Sequence, residues 1–186
     1  MFDEPNRIDS MSQLFKEIPA EFLRDYLDKL TGDNAALLTA GNINLYNSSV
    51  VSCRFAFDLT FRPVAICFIR PQRPVLRFIE KNEYFTLCYF PQEHRHILDY
   101  FGSKPGSSGK KFEPKDTASG SIYYPQARLL LECRKVFNLE LILSKEIQTT
   151  LAREKAREIY PGGESPRMFL GEVEHCRMSM QGLIEK

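Results

Sequence analysis

Two arginines at an i, i+3 spacing, Arg70 and Arg73, are the residues of this 186-residue chain best suited to chemistry. They follow a strand-forming run, Val64–Ile69, and precede a short helical pattern over Val75–Lys81 that has Pro74 at a position proline favours. A guanidinium presents forked donors that match a phosphate dianion, and the start of a helix adds a favourable dipole, so the pattern points to phosphate binding. On these residues alone the commoner outcome is a surface arginine paired with Glu80 or Glu83. A second group is the segment Asn47-Ser48-Ser49-Val50-Val51-Ser52-Cys53, whose three serine hydroxyls either serve a ligand or satisfy nearby backbone groups. A third is the set Lys104, Lys110, Lys111 and Lys115, in a polar stretch at 102–121 rich in Gly, Ser, Lys and Pro. Such a stretch is too hydrophilic for a core and long enough for a binding loop, although lysines like these ordinarily form a solvated basic surface.

Other chemistries are disfavoured. His94, His96 and His175 do not combine with cysteines or carboxylates at ligand spacing, so no metal site is expected. The serine segment lacks the glycine-flanked elbow of a hydrolase nucleophile, and no Gly-x-Gly-x-x-Gly run is present. Lys and Arg total 25 against 24 Asp and Glu, a formal charge of +1 that supplies no field for a nucleic-acid backbone or an anionic membrane. The five cysteines, Cys53, Cys67, Cys88, Cys133 and Cys176, are dispersed and mostly sit in apolar runs, which suits reduced thiols packed as small hydrophobes in a cytoplasmic protein. The acidic first residues and the shortness of the apolar runs give no expectation of export or of a membrane span.

The elements that must position these residues follow from periodicity. Phe22, Leu23, Tyr26, Leu27 and Leu30 recur with helical spacing over 19–30, and Thr31-Gly32-Asp33-Asn34 ends that helix. Short β-type runs then occupy 36–39, 48–53, Val64–Ile69 and 84–90, separated by Gly, Asn, Asp and Pro. Helical patches at Val75–Lys81 and 94–101 read as plugs on a barrel rim. Strand texture returns at 127–137 and 168–174, with a helical segment over 146–159 between them. With 43% hydrophobic residues the chain is expected to form one domain over 1–186, built around an antiparallel barrel or sandwich.

The stretch Arg62-Pro63-Val64-Ala65-Ile66-Cys67-Phe68-Ile69-Arg70-Pro71-Gln72-Arg73, followed by Phe78-Ile79-Glu80-Lys81-Asn82-Glu83-Tyr84-Phe85-Thr86-Leu87, resembles the signature of the flavin reductase-like, FMN-binding split-barrel family, to which flavoredoxins belong. Leu38-Thr39-Ala40-Gly41 resembles its opening strand, and Phe101-Gly102-Ser103-Lys104 with Gly106 and Lys111-Phe112 its glycine-rich loop. The segments 127–135 and 167–173 resemble its late strands, so that the likeness spans a core of about residues 14–174.

The resemblance implies a mainly β fold with peripheral helices: a six-stranded antiparallel split β-barrel of FMN-binding type that forms a homodimer. It implies an oxidoreductase that passes electrons through bound FMN to a small acceptor, with a small molecule or small redox protein as electron partner. Arg70 and Arg73 would take the phosphate, the segment from Asn47 to Cys53 the ring and ribityl chain, and Lys111 would reach toward the flavin. No catalytic side chain is assigned. Family members carry Met-Thr where this chain has Ser49-Val50, and Trp-Gly where it has Cys53-Arg54. Pro74-Val75 replaces an aromatic residue and a threonine, and Ser165-Pro166-Arg167 stands where nicotinamide-using relatives have Gly-Asp-His, which leaves NAD(P)H as donor open. A second expectation therefore stands beside the first: a non-catalytic relative with weakened or lost flavin binding, or a changed ligand.

Overall fold

The structure, a computed structural model, describes residues 11–24, 35–57, 61–104, 106, 109–140, 154–155, 158 and 165–184. Its strands in chain order are β1 (Phe15–Glu17), β2 (Ala35–Asn42), β3 (Leu45–Ala56), β4 (Val64–Ile69), β5 (Tyr84–Tyr89), β6 (Lys115–Asp116), β7 (Ile122–Tyr123), β8 (Leu129–Glu140) and β9 (Arg167–Ser179). The α-helices are α1 (Val75–Lys81), α2 (His96–Ser103) and α3 (Met180–Ile184). The helix expected over 19–30 begins as a 3-10 turn at Ala20–Phe22. Leu23 and Arg24 continue it as helix, and residues 25–30 and the stop at 31–34 lie outside the described residues. So does most of the 146–159 segment, of which Glu154, Lys155 and Glu158 are helical. The second helical patch starts two residues later than its periodicity suggests, because Gln92–His94 forms a separate 3-10 turn ahead of it.

Six strands run in the order β9-β4-β3-β2-β5-β8, each antiparallel to its neighbours, and β8 pairs with β9 to close the ring. The chain is thus the six-stranded antiparallel barrel its residues resemble, with β1 as an additional strand on the far end of β9. The β8–β9 ladder shifts register between Glu132 and Cys133 and again between Lys135 and Phe137. Such bulges bend a long strand and increase its twist, which lets one pair of strands wrap around a closed barrel.

Alternation along each strand divides the core into two. Ala36, Leu38 and Ala40 of β2, Phe85, Leu87 and Tyr89 of β5, and Leu129, Leu131 and Cys133 of β8 fill the barrel interior. Val75, Leu76 and Ile79 of α1 belong to the same cluster, as the rim plug. The intervening residues Leu37, Cys88 and Leu130 are equally buried, beneath Ile97, Leu98 and Phe101 of α2 and the segment from Tyr123 to Ala127. Burial on both faces explains why β2, β5 and β8 are apolar runs with little alternation. Gly171 of β9 leaves the space that Phe85 occupies, since a Cβ at that position would lie 2.4 Å from the Phe85 ring.

One polar residue crosses this pattern. Glu132, on the outward face of β8 and only 1% exposed, accepts hydrogen bonds from Thr117 Oγ1 at 2.6 Å, from the Ser119 hydroxyl and from Arg177 Nη1 at 3.1 Å. Arg177 also pairs with Glu17 of β1 at 2.8 Å. The carboxylate therefore ties the β6–β7 hairpin and the edge strand β1 to the barrel wall. A buried ion pair that loses one partner leaves the other uncompensated. Arg177 retains Glu17, which places the effect at the lower end of the usual range. Glu132→Ala is expected to cost about 3 kcal/mol in urea denaturation; a loss under about 1 kcal/mol would mean the network is not structural.

Candidate functional site

The segment from Asn47 to Cys53 is continuous strand within β3, and its side chains divide by strand period between two environments. Asn47, Ser49, Val51 and Cys53 lie opposite Ala40, Leu38, Ala36 and Cys67, residues of the barrel interior. All four are buried. Among the described residues, Asn47 Oδ1 and Ser49 Oγ have no hydrogen-bond partner. A buried polar atom left unpaired costs about 1–3 kcal/mol, a cost that water or a ligand can offset.

Ser48, Val50 and Ser52 face outward. Ser48 Oγ lies 2.9 Å from Thr39 Oγ1 and 3.1 Å from Tyr124 OH, so its hydroxyl is committed to the protein. Val50 packs with the outer cluster, and Ser52 is exposed. Tyr124 is buried, and desolvation raises its phenol well above the ordinary range; it stays neutral and works as a hydrogen-bonding strut. Arg54 turns back on its own strand, donating from Nη1 to the Cys53 carbonyl at 3.0 Å.

Arg70 is exposed at the end of β4, and its carbonyl accepts the Arg73 amide at 3.0 Å, which closes a turn between the two arginines. Arg73 leads into α1 and is partly buried; its Nη1 is enclosed with no hydrogen-bond partner among the described residues. Glu80 is ion-paired to Arg167, and among the described residues no ion pair is seen between Arg73 and Glu83. The α1 start contributes less than its position in sequence suggests. Pro74 has no N–H, and the Leu76 and Arg77 amides are already bonded to the Arg73 and Pro74 carbonyls at 3.0 and 3.2 Å. Anion binding at this corner falls to the guanidinium groups. Helix α1 packs against β2 and β3, so it stands beside the strand that carries Asn47 and Ser49.

Lys111 lies in a 3-10 turn at Lys110–Phe112 on the stretch expected to be a binding loop. Its Nζ sits 3.6 Å from the Tyr100 ring centroid and 4.7 Å from that of Phe112, a cation stacked on two rings in an otherwise exposed residue. The turn is fixed from below. Gly109 is buried against Tyr124 and Phe101, where a Cβ would come within 2.1 Å of the Tyr124 hydroxyl, and the Phe112 carbonyl accepts Gln126 Nε2 at 3.1 Å. Gly106, earlier in the loop, lies beside Pro74, with 3.3 Å from a Cβ there to the proline ring. At Gly106 the loop thus passes the start of α1.

Thr39, Tyr124 and Gly109 support this arrangement without having been singled out by pattern. Ser48 and Tyr124 are 76 positions apart, so only the fold joins them. The one local signal is the aromatic pair Tyr123-Tyr124 at the end of a hydrophilic stretch. No group of His, Cys, Asp or Glu able to hold a metal ion occurs among the described residues.

Several solved structures share this fold. A flavoredoxin from Methanosarcina acetivorans superposes with a TM-score of 0.59 at 18% identity, over 80% of this chain and 69% of that one. An FMN-binding domain of a flavin reductase-like enzyme from Shewanella baltica gives 0.61 at 13% identity, over 90% and 78%. A Streptomyces globisporus NADH:FAD oxidoreductase in complex with NAD and FAD fragments gives 0.57 at 14%, over 88% and 90%. No curated protein sequence matches the chain. The family model described as flavin reductase like domain matches residues 34–183, and on that match the chain belongs to the flavin reductase-like domain family.

Proposed function

We propose that this protein binds FMN at the corner formed by Arg70, Arg73 and the inner face of β3, and passes electrons through it to a small acceptor. The observation that carries the reading is the enclosed, unpartnered Nη1 of Arg73, at the entry to a helix that packs against β3, taken with the unpartnered Asn47 Oδ1 and Ser49 Oγ on the inner face of that strand. An amide oxygen, a hydroxyl able to donate or accept, and a charged donor fit a ligand with an anionic end and a polar body. Bound flavin supplies the redox chemistry itself. The chain's share is to hold and shield. Arg73, with exposed Arg70 adjoining, anchors the phosphate through charge-assisted hydrogen bonds. Asn47 and Ser49 meet polar edges of the ligand, while Val51 and Cys53 continue the face as apolar surface. Lys111, held over Tyr100, adds positive charge where negative charge collects on reduction.

Pro74 and Val75 support a second reading. The first has no amide N–H and the second no hydroxyl, and Val75 is fully buried in the barrel core. Two absent hydrogen bonds at ~1 kcal/mol each weaken phosphate binding about 10–100-fold. On that reading the chain is a non-catalytic relative that binds flavin poorly. Titrating the purified protein with FMN separates the two: saturable quenching of flavin fluorescence supports the first, and no saturable binding eliminates it. In the same titration Arg73→Ala is expected to raise the dissociation constant ~10-fold or more. An unchanged constant would remove Arg73 from the phosphate site.

Among the described residues no helix is long and apolar enough to cross a membrane. The five cysteines are free thiols, which supports a reducing compartment such as the cytoplasm. A homodimer is supported by the outer face of β4, β9 and β8. There Ile66, Leu170 and Phe137 form one cross-strand row, and Phe68, Met168 and Leu139 the next. Phe68 and Phe137 are 42% and 48% exposed, and an apolar sheet face of this kind is a site for protein contact. Sedimentation should show a dimer for the native chain and a monomer for the double variant Phe68→Glu, Phe137→Glu. A native monomer would end this part of the reading.

A further inference from the structure

Cys53 of β3 and Cys67 of β4 are direct partners in the antiparallel register, and their Sγ atoms lie 3.1 Å apart inside the barrel. They are 2% and 0% exposed, and no atom separates the two sulfurs. Opposed residues on antiparallel strands hold their Cβ atoms ~4.5–5.5 Å apart, close to the ~3.5–4.5 Å of a disulfide, so closure requires the sulfurs to approach by only about 1 Å. Cys133 and Cys176 belong to the same interior cluster and Cys88 to the outer one, yet only Cys53 and Cys67 are in sulfur–sulfur contact.

We propose that Cys53 and Cys67 are an oxidative modification site, joined by a reversible intramolecular disulfide when the protein meets hydrogen peroxide. The Cys53 sulfur attacks the peroxide O–O bond and yields its thiol proton to the departing oxygen. One oxygen stays on Cys53 as a sulfenic acid, and the other leaves as hydroxide and takes up a proton to become water. The Cys67 sulfur then displaces the hydroxyl from Cys53, and its own thiol proton departs with that hydroxyl as a second water. Two thiols thus lose one electron each, and one peroxide is reduced to two waters. A dithiol reductant restores both thiols by exchange.

The roles differ because the environments differ. The hydrogen bond to Cys53, together with burial, holds Cys67 in its thiol form well above the usual range, which suits it to wait as the resolving group. Proximity makes the second step effectively unimolecular. Burial restricts the first step to an oxidant that is small and uncharged, and peroxide is both. The bridge would fasten β3, which carries the segment from Asn47 to Cys53, to β4, which leads into the Arg70 turn. The proposal stands whether or not that corner takes flavin.

The test treats the native reduced chain with hydrogen peroxide, alkylates the remaining thiols after denaturation and maps the peptides by mass spectrometry. The expected product links Cys53 to Cys67 with loss of two hydrogens, takes two of the five thiols from the alkylating reagent, and is reversed by dithiothreitol. Five alkylatable thiols after treatment, or a bridge between another pair, would overturn the proposal. In Cys67→Ser a dimedone adduct should accumulate on Cys53; an adduct confined to other cysteines would overturn the assigned order. Should that variant not fold, the native-chain map still decides.

Discussion

Pairing of β8 with β9 is the constraint on which the rest of this molecule depends. Without it the remaining ladders would form an open sheet with two unsatisfied edges. With it the sheet has an inside, and inner residues such as Phe85, Leu131 and Phe169 become inaccessible to water. The two register shifts in that ladder reconcile long strands with a closed ring. Gly171 belongs to the same solution, because Phe85 can fill the centre only where the facing strand has no side chain.

Closure also decides what a strand residue can do. On β3 the period of two sends Asn47 and Ser49 inward, where their polar atoms are unpaired, and sends Ser48 outward into a hydroxyl chain with Thr39 and Tyr124. Three serines that are alike in sequence thereby acquire separate environments: Ser49 is buried with its hydroxyl unpartnered among the described residues, Ser48 is tied to Thr39 and Tyr124, and Ser52 is exposed. The same division places α1 at the barrel rim beside the inner face and α2 on the outer wall, where its aromatic neighbours fix the Lys111 turn.

Two kinds of buried polarity coexist in the protein. Around Glu132 every strong acceptor is matched, by Arg177, Thr117 and Ser119, and the result is a rigid attachment of a hairpin to the barrel. At Arg73 Nη1 and, on β3, at Asn47 Oδ1 and Ser49 Oγ, by contrast, enclosed polar atoms have no partner among the described residues. The Cys53–Cys67 contact lies at the end of that same strand segment, so the chemistry available to its sulfurs concerns the strand that borders the candidate site.

The sequence by itself determined most of the architecture. Apolar runs bounded by turn residues marked β2, β3, β4, β5, β8 and β9, and Val75–Lys81 is helical over the residues its periodicity indicated. The order and spacing of the segments around Arg62 to Leu87 pointed to the family as well, because local preference and residue type are carried by neighbouring positions. Only the tertiary structure decided how far strands such as β9 extend, where β1 and the β6–β7 hairpin attach, and which hydroxyls are already taken. It also decided that Arg73 Nη1 is enclosed while Glu80 goes to Arg167, and that Cys53 meets Cys67. Those outcomes depend on contacts between residues distant in the chain and on the face each strand presents, and neither is encoded in any short stretch of residues.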